Sequence, residues 1–432
     1  MTKRALLRLI AVCAVALVAA PAALAAERMW MGFHDDPVLR YDAARQAELD
    51  RTTAAGATIV RTLVTWADVA PTKPRRPSNP FDPAYRLDDL DEFVRNAQAR
   101  GQEVLFTLWG TPEWANGGKG PAVLPRRMAD FQNFARAVAS RYSGRYAGYP
   151  FVRFYGLWNE SNLGGFLAPQ FDKKGRIIGP RLYAALAAAG YKGVKAGNSR
   201  ALVAIGETSS NGLDKPKSGV TDKVRPGTFA RLVAQANPRL KFDAWAHHPY
   251  PVPVSQRALQ RVLWPNVSLT SLDRFGESLD EWFRRTNVPI WITEYGHETK
   301  PGEPKGVTEA QQALYLQQAI TLLRDNERVP MFIWFVFRDS PGSLWQSGLF
   351  RANGQAKRAY PRFRSAAPLL DMRNGSYRLK GGTRNPVVTG YVREFCANNA
   401  PGTPVGVTYR AFARSEFLLV GQASQPLGID CT

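Results

Sequence analysis

The chain has 432 residues, 45% hydrophobic and 22% charged, the balance of a folded globular protein rather than a disordered or collagenous one. Its formal net charge is +21, from 57 Lys and Arg against 36 Asp and Glu. The basic residues are scattered along the chain, mostly as Arg in predicted helices and loops, without zinc-finger spacing or an arginine-rich arm. That pattern speaks against a nucleic-acid reader and for a solvated basic surface able to associate with acidic wall polymers.

The first 25 residues open with Lys3, Arg4 and Arg8, continue through an apolar run, and close on the small residues Ala23-Leu24-Ala25. This is the layout of a secretory signal peptide with cleavage after Ala25; a retained anchor is the alternative, disfavoured because the run is short and holds Pro21. The signal contains three basic and no acidic residues, so its removal lowers the net charge from +21 to +18. No later run is long and apolar enough to span a bilayer, and the expectation is a secreted monomer, extracellular or wall-associated. Cys13 leaves with the signal. Cys396 and Cys431 remain as an even pair in an exported chain, and either a disulfide or two buried thiols fits them.

From residue 26 onward, short apolar runs alternate with amphipathic segments. Eight strands are predicted: Met29–His34, Thr58–Leu63, Glu103–Trp109, Phe151–Trp158, Ala201–Gly206, Phe242–His247, Val288–Glu294 and Val329–Phe335. Between them, Leu87–Ala97 and Met128–Tyr142 carry apolar residues on one helical face, Thr308 and Gln311 form a capping box, and a last helix is expected over Ala356–Ala366. Eight β-then-α units in about 340 residues predict a (β/α)8 TIM barrel over 26–366. An open doubly wound sheet is the runner-up, but the first strand is followed by HDDPVLRYDAARQ rather than a glycine-rich phosphate loop. Beyond Pro368 the helical period disappears. The runs VVTGYVREFC, VGVTYRAFA and EFLLVGQA predict a small β-rich appendage over 367–432, either a structural cap or a carbohydrate-binding unit.

In such a barrel, function gathers at the carboxyl ends of the strands. Standing there are His34, Arg61, Trp109, Asn159, Glu160, Glu207, His247, His248, Tyr250, Glu294, His297 and Trp334, with Trp114, Arg338, Asp339 and Trp345 in the loops beyond. All four histidines of the chain fall in this set, which suggests one shared rim; a metal cluster is a further reading, weakened by the lack of a His pair at helical spacing. Glu160 and Glu294 lie 134 residues apart, about three units, so they face each other across the mouth. Two facing carboxylates in an aromatic cleft suit glycosidic bond cleavage, one as acid, one as nucleophile; a gap of ~5 Å would mean retention of configuration. Arg61 and the Tyr250 hydroxyl are candidate supports for an ionised nucleophile, Asn159 for a sugar hydroxyl, and Trp109, Trp114, Trp334 and Trp345 for sugar faces, each tryptophan having core packing as its plainer role.

Taken in order, WNESN (158–162), IWITEYG (290–296), DAWAHHPY (243–250), TIVRTLVTWADVAP (58–71), FIWFVFRD (332–339) and NGQAKRAYPRF (353–363) resemble the retaining glycoside hydrolases of clan A, the cellulase-like barrels. LFTLWGTPEWA (105–115) and FARAVASRYSG (134–144) are similar to families 39 and 5 of that clan. The resemblance covers the barrel only. It implies Glu160 as acid/base, Glu294 as nucleophile, a supporting shell of Arg61, Asn159, His248, Tyr250 and Trp334, and no metal or organic cofactor. The family often carries a His at the end of the third strand, where this chain has Trp109. The expected substrate is a polysaccharide or β-glycoside. Two non-catalytic alternatives are a carbohydrate-binding protein on an inactive barrel and a wall-associated adhesion protein.

Overall fold

The computed structural model describes residues 29–343, 345–365, 407–413 and 416–423. Met1–Ala25, Cys396 and Cys431, on which the export signal and the disulfide rest, lie outside the described residues, as does VVTGYVREFC.

Eight strands close into a parallel barrel in chain order: β1 (Trp30–His34), β2 (Ile59–Thr65), β3 (Glu103–Trp109), β4 (Phe154–Leu157), β5 (Leu202–Ser209), β6 (Ala244–His248), β7 (Ile290–Tyr295) and β8 (Met331–Phe335). The first and last strands join through the register Trp30↔Met331 to His34↔Phe335. Helices α1 (Arg45–Ala54), α2 (Asp88–Ala99), α3 (Met128–Arg141), α4 (Gly179–Gly197), α5 (Pro226–Ala236), α6 (Leu272–Phe283) and α7 (Glu309–Arg324) follow the first seven strands. This is a (β/α)8 TIM barrel. The chain is helical again over 360–365, later than expected, because Ala356 bridges back to Phe350 and the intervening residues turn. At α7 the Thr308 hydroxyl accepts from the Gln311 amide N–H, 3.2 Å, completing the capping box. Separately, β9 (Val407–Ala413) and β10 (Glu416–Ala423) pair antiparallel. Among the described residues no helix is long and apolar enough to cross a membrane.

Strand residues alternate between the barrel interior and the helix layer. Inward at the amino-terminal half stand Ile59, Leu105, Phe154, Ala204, Ala244, Trp291, Met331 and Ile333, with Trp30 packed against them. Phe154 anchors this layer through edge contacts to Trp30 at 5.5 Å and Trp291 at 5.4 Å. The layer closes the bottom of the barrel, so any site must open at the carboxyl ends.

The alternation breaks at two places. On β5, Ile205 pairs with Trp245 and Thr208 with His247, so three steps on β5 oppose two on β6. On β7, Ile292 pairs with Phe332 and Tyr295 with Trp334, again three against two. Each extra residue is a β-bulge, which turns in a side chain that regular alternation would turn out. The bulges deliver Glu207 and Glu294 to the interior.

Candidate active site

Above the apolar layer lies a buried polar one, built around the fully buried Arg61 of β2. Its Nε donates to Thr107 Oγ1 at 2.9 Å. Nη1 donates to Glu294 Oε1 at 2.5 Å and to His34 Nδ1 at 2.7 Å. Nη2 donates to Asn159 Oδ1 at 2.8 Å and to Glu207 Oε2 at 3.2 Å. All five guanidinium donors are thereby engaged, which only Arg can do from one side chain. The His34 nitrogen that accepts from Arg61 cannot also carry a proton. In this arrangement the ring's hydrogen is on Nε2, 3.5 Å from Asp36 Oδ2; burial and Arg61 oppose a second proton, but the contacts with Asp36 and Glu294 outweigh them and raise the ring above its ordinary value.

His248, the last residue of β6, lies between the carboxylates. Its Nδ1 is 3.3 Å from Glu160 Oε1 and 3.6 Å from Glu294 Oε2. These two contacts bring the facing oxygens of Glu160 and Glu294 within the sum of the distances, about 6.9 Å. On its other side, Nε2 is 3.1 Å from Glu207 Oε2 and 3.0 Å from Thr293 Oγ1. The Tyr250 hydroxyl donates to Glu294 Oε2 at 3.0 Å.

The electrostatics separate the two acids. Burial raises Glu160, and the negative Glu294 adds to that, against the opposing pull of His248 and Arg61. Burial also works to raise Glu294, but His248, Arg61 and the His34 contact outweigh it and hold its carboxyl well below the usual range. Burial would discharge His248; the surrounding glutamates, Glu294 foremost, instead lift it to about 9, so it is an imidazolium at neutral pH. Burial and the two glutamates keep the Tyr250 phenol protonated, and therefore a donor. A carboxyl whose proton is held more tightly than usual faces one whose proton is held less tightly, across a cationic ring, the arrangement that divides acid and nucleophile roles.

The local backbone is bent to make this possible. Trp158 and Glu160 take positive φ, 74° and 36°, and Glu207 takes 45°, uncommon for residues with side chains and concentrated here at strand ends. The turn after β4 swings Trp158 outward against Phe131 and leaves Asn159 and Glu160 over the barrel.

Of the residues expected from sequence, the structure brings together Arg61, Asn159, Glu160, His248, Tyr250 and Glu294. Trp109, inward at the end of β3, is half-buried between Trp158 and Phe166. Trp334 is not at the mouth. It is fully buried on the helix side, its indole donating to Ser347 O at 2.8 Å, because it pairs with outward Phe33 while Phe335 pairs with inward His34. The ring facing the site from β8 is Phe335, 5.1 Å from His34 and 5.6 Å from Trp345, and Trp345 in turn lies 5.1 Å from Tyr250.

The histidines do not share one rim. His247 faces α6, against Phe275, and His297 faces α7, against Tyr315; burial drives both down to about 3, so they are neutral. Trp114 is wedged edge-on against Trp66 with its indole donating to Ala70 O. Arg338 pairs with Asp42 and Glu48, and Asp339 with Lys357, rather than with each other or with the cleft. Glu207 is expected at the carboxyl ends but without a role, and Thr293, Thr107 and Phe335 are site members that the sequence reading does not name. β8, MFIWF, is apolar on both faces, so only its register with β1 shows that Phe335 faces inward; nothing in the sequence announces the bulge that turns Glu207 inward.

The model of the cellulase family, glycosyl hydrolase family 5, matches residues 30–338. The chain belongs to that family. It is a glycosidase, a hydrolase of O-glycosyl compounds on a clan A barrel. Among solved structures, it is similar to a family 39 glycoside hydrolase from the gut symbiont Bacteroides cellulosilyticus WH2, at 21% identity and TM-score 0.57, covering 91% of this chain and 74% of that one. A family 5, subfamily 18 enzyme from Streptomyces cattleya, crystallised with GlcNAc, is similar at 16% identity and TM-score 0.57, covering 84% and 83%. Xylanase 10B from Thermotoga petrophila RKU-1 is similar at 14% identity and TM-score 0.53, covering 80% and 95%. At these identities the likeness to solved structures speaks for the fold. No curated protein matches the chain.

Proposed function

We propose that this family 5 hydrolase cleaves its substrate with retention, by double displacement, with Glu160 as acid/base and Glu294 as nucleophile. The observation that carries this reading is the single His248 nitrogen within reach of both carboxylates, which holds their facing oxygens within about 6.9 Å. Retaining pairs stand ~5 Å apart and inverting pairs roughly 6.5–9.5 Å; the bound lies below most of the inverting range, and the product's stereochemistry decides between them.

In the first step Glu160 gives its proton to the glycosidic oxygen while Glu294 attacks the anomeric carbon. The C–O bond breaks and an ester to Glu294 forms. In the second, ionised Glu160 takes a proton from water, whose oxygen displaces Glu294. Arg61 and Tyr250 keep Glu294 ionised and aimed, and Asn159, held by Arg61, presents its amide N–H groups toward a sugar hydroxyl. The rings of Trp109, Tyr250, Phe335 and Trp345 offer apolar faces to a chain of sugars, so the substrate is a polysaccharide or β-glycoside. The amino-terminal 25 residues support export, and 367–432 is read as a separate β-rich unit. Product stereochemistry decides the mechanism: proton NMR of the first product formed should show the substrate's own anomer. Azide should restore turnover of an activated aryl glycoside by Glu160→Ala, giving a glycosyl azide of retained configuration. An inverted first product would overturn the reading.

A further inference from the structure

Glu207 has no part in the two displacement steps, yet the fold is shaped around it. It is fully buried. The bulge that turns it inward is held from both sides: the Gly206 N–H donates to the Tyr183 hydroxyl at 2.6 Å, and the Ser161 hydroxyl donates to Gly206 O. Gly206 has φ +95°, and a side chain there would strike the Trp245 ring. Across on β4, Gly156 leaves the space the carboxylate fills, since a Cβ at 156 would collide with Glu207 Oε1. Into that space Oε2 collects the Thr293 hydroxyl at 2.9 Å, His248 Nε2 at 3.1 Å and Arg61 Nη2 at 3.2 Å.

Resting on the reading above, we propose that Glu207 is a positioning residue that holds His248 as an imidazolium, whose Nδ1–H serves whichever of Glu160 and Glu294 is ionised. The groups facing the ring are Glu160 beyond β4, Glu207 on β5, Tyr250 beyond β6, and Thr293 and Glu294 on β7, with Arg61 of β2 behind the last carboxylate. In the resting enzyme the charge is on Glu294, 3.6 Å from Nδ1. Once Glu294 is esterified, the only ionised partner of Nδ1 is Glu160, 3.3 Å away. His248 keeps both its protons throughout; only the partner changes. Glu207, on the far nitrogen, takes part in neither step, so it holds the ring in place while the other two exchange.

Loss of that anchor falls unequally on the two steps. Glu294 retains Arg61 at 2.5 Å and stays ionised. Glu160 has no direct contact with Arg61, so without a cationic His248 it ionises less readily and becomes the poorer base for the second step. With Glu207→Gln, an activated aryl glycoside should therefore show kcat reduced about tenfold or more, the equivalent of one pKa unit at Glu160. KM should fall in parallel, a product burst should appear, and azide, which needs no base, should recover kcat. Glu207→Asp keeps the charge and should recover most of kcat. A merely structural role would lower kcat/KM and leave azide without effect, which overturns the proposal.

A second measurement is independent of turnover. The chain holds four histidines, and 15N-histidine NMR of the full protein should show His248 with both ring nitrogens protonated at pH 7. Its titration in Glu207→Gln should move to lower pH by about one unit or more. A neutral His248 in the wild type overturns the proposal even if the variant fails to fold, and an unmoved titration in a folded variant does the same. If the wild type turned over no glycoside, the hydrolytic reading would fail while the His248 titration still judged the Glu207 linkage.

Discussion

The lower and upper halves of the barrel interior are made by the same eight strands and obey different rules. Below, Ile59, Leu105, Phe154, Trp291 and Met331 fill the cylinder with apolar volume in regular alternation, and stability is all they supply. Above, Arg61, Glu207, His248, Thr293 and Glu294 are buried nearly as deeply but are polar, and two bulges break the alternation to place Glu207 and Glu294. Regular pairing makes a plug; interrupted pairing makes a site. Isolated charges at that depth would be costly, and the upper half is tolerable because each charge has partners.

The comparison can be broken most forcefully at Glu294. Glu294→Ala should cut kcat by about 10⁴-fold or more, while circular dichroism still shows a folded barrel. The denaturant midpoint should fall because Arg61 and His248 lose a buried partner; a chain that no longer folds would mean the upper layer is structural. The reverse is expected below. Phe154→Ala should cost about 3–5 kcal/mol in urea unfolding, with kcat per folded molecule little changed.

A finer cut separates neighbours on one strand. His247→Gln disturbs hydrogen bonds to Thr208 and Val267 O and should cost about 1–3 kcal/mol with activity retained. His248→Gln should leave the fold standing and remove most turnover, as measured on the same aryl glycoside. The smallest effect is expected at Trp334→Phe, where loss of the bond to Ser347 O should cost about 1 kcal/mol and leave KM alone, whereas Phe335→Ala should raise KM.

The two halves also differ in their response to pH, since the apolar layer does not titrate. His248 is raised from 6.5 to about 9, so its contribution to stability is fully present below pH 6.5 and lost as pH rises through about 9. Glu294 is lowered, so its contribution is present above its ordinary value of 4.5 and lost as pH falls through the depressed one. Urea midpoints across pH should thus fall at both ends. Activity should fall in acid as Glu294 is protonated, and toward base as Glu160 loses the proton it must deliver.

Much of this was legible in the chain. The eight strands fell where apolar runs predicted them, with ends displaced by a few residues, and Glu103–Trp109 coincided. Asn159, Glu160 and Glu294 stood out because amides and carboxylates at the ends of apolar strands need a reason. The pairs His247-His248 and Trp334-Phe335 could not be resolved the same way. Adjacent residues point to opposite faces, and a run that is apolar on both faces carries no period to say which is which.

What the amino-acid order determined by itself was therefore the succession of elements, the closed parallel architecture, and the residue types available at the carboxyl ends. These follow from local patterns of hydrophobicity, which act over a few residues. The tertiary structure alone decided which histidine meets the glutamates, which β8 ring faces the cleft, and that Glu207 lies beneath them. Those outcomes depend on register between strands distant in sequence, where one inserted residue reverses the direction of a side chain and no neighbour in the chain records it.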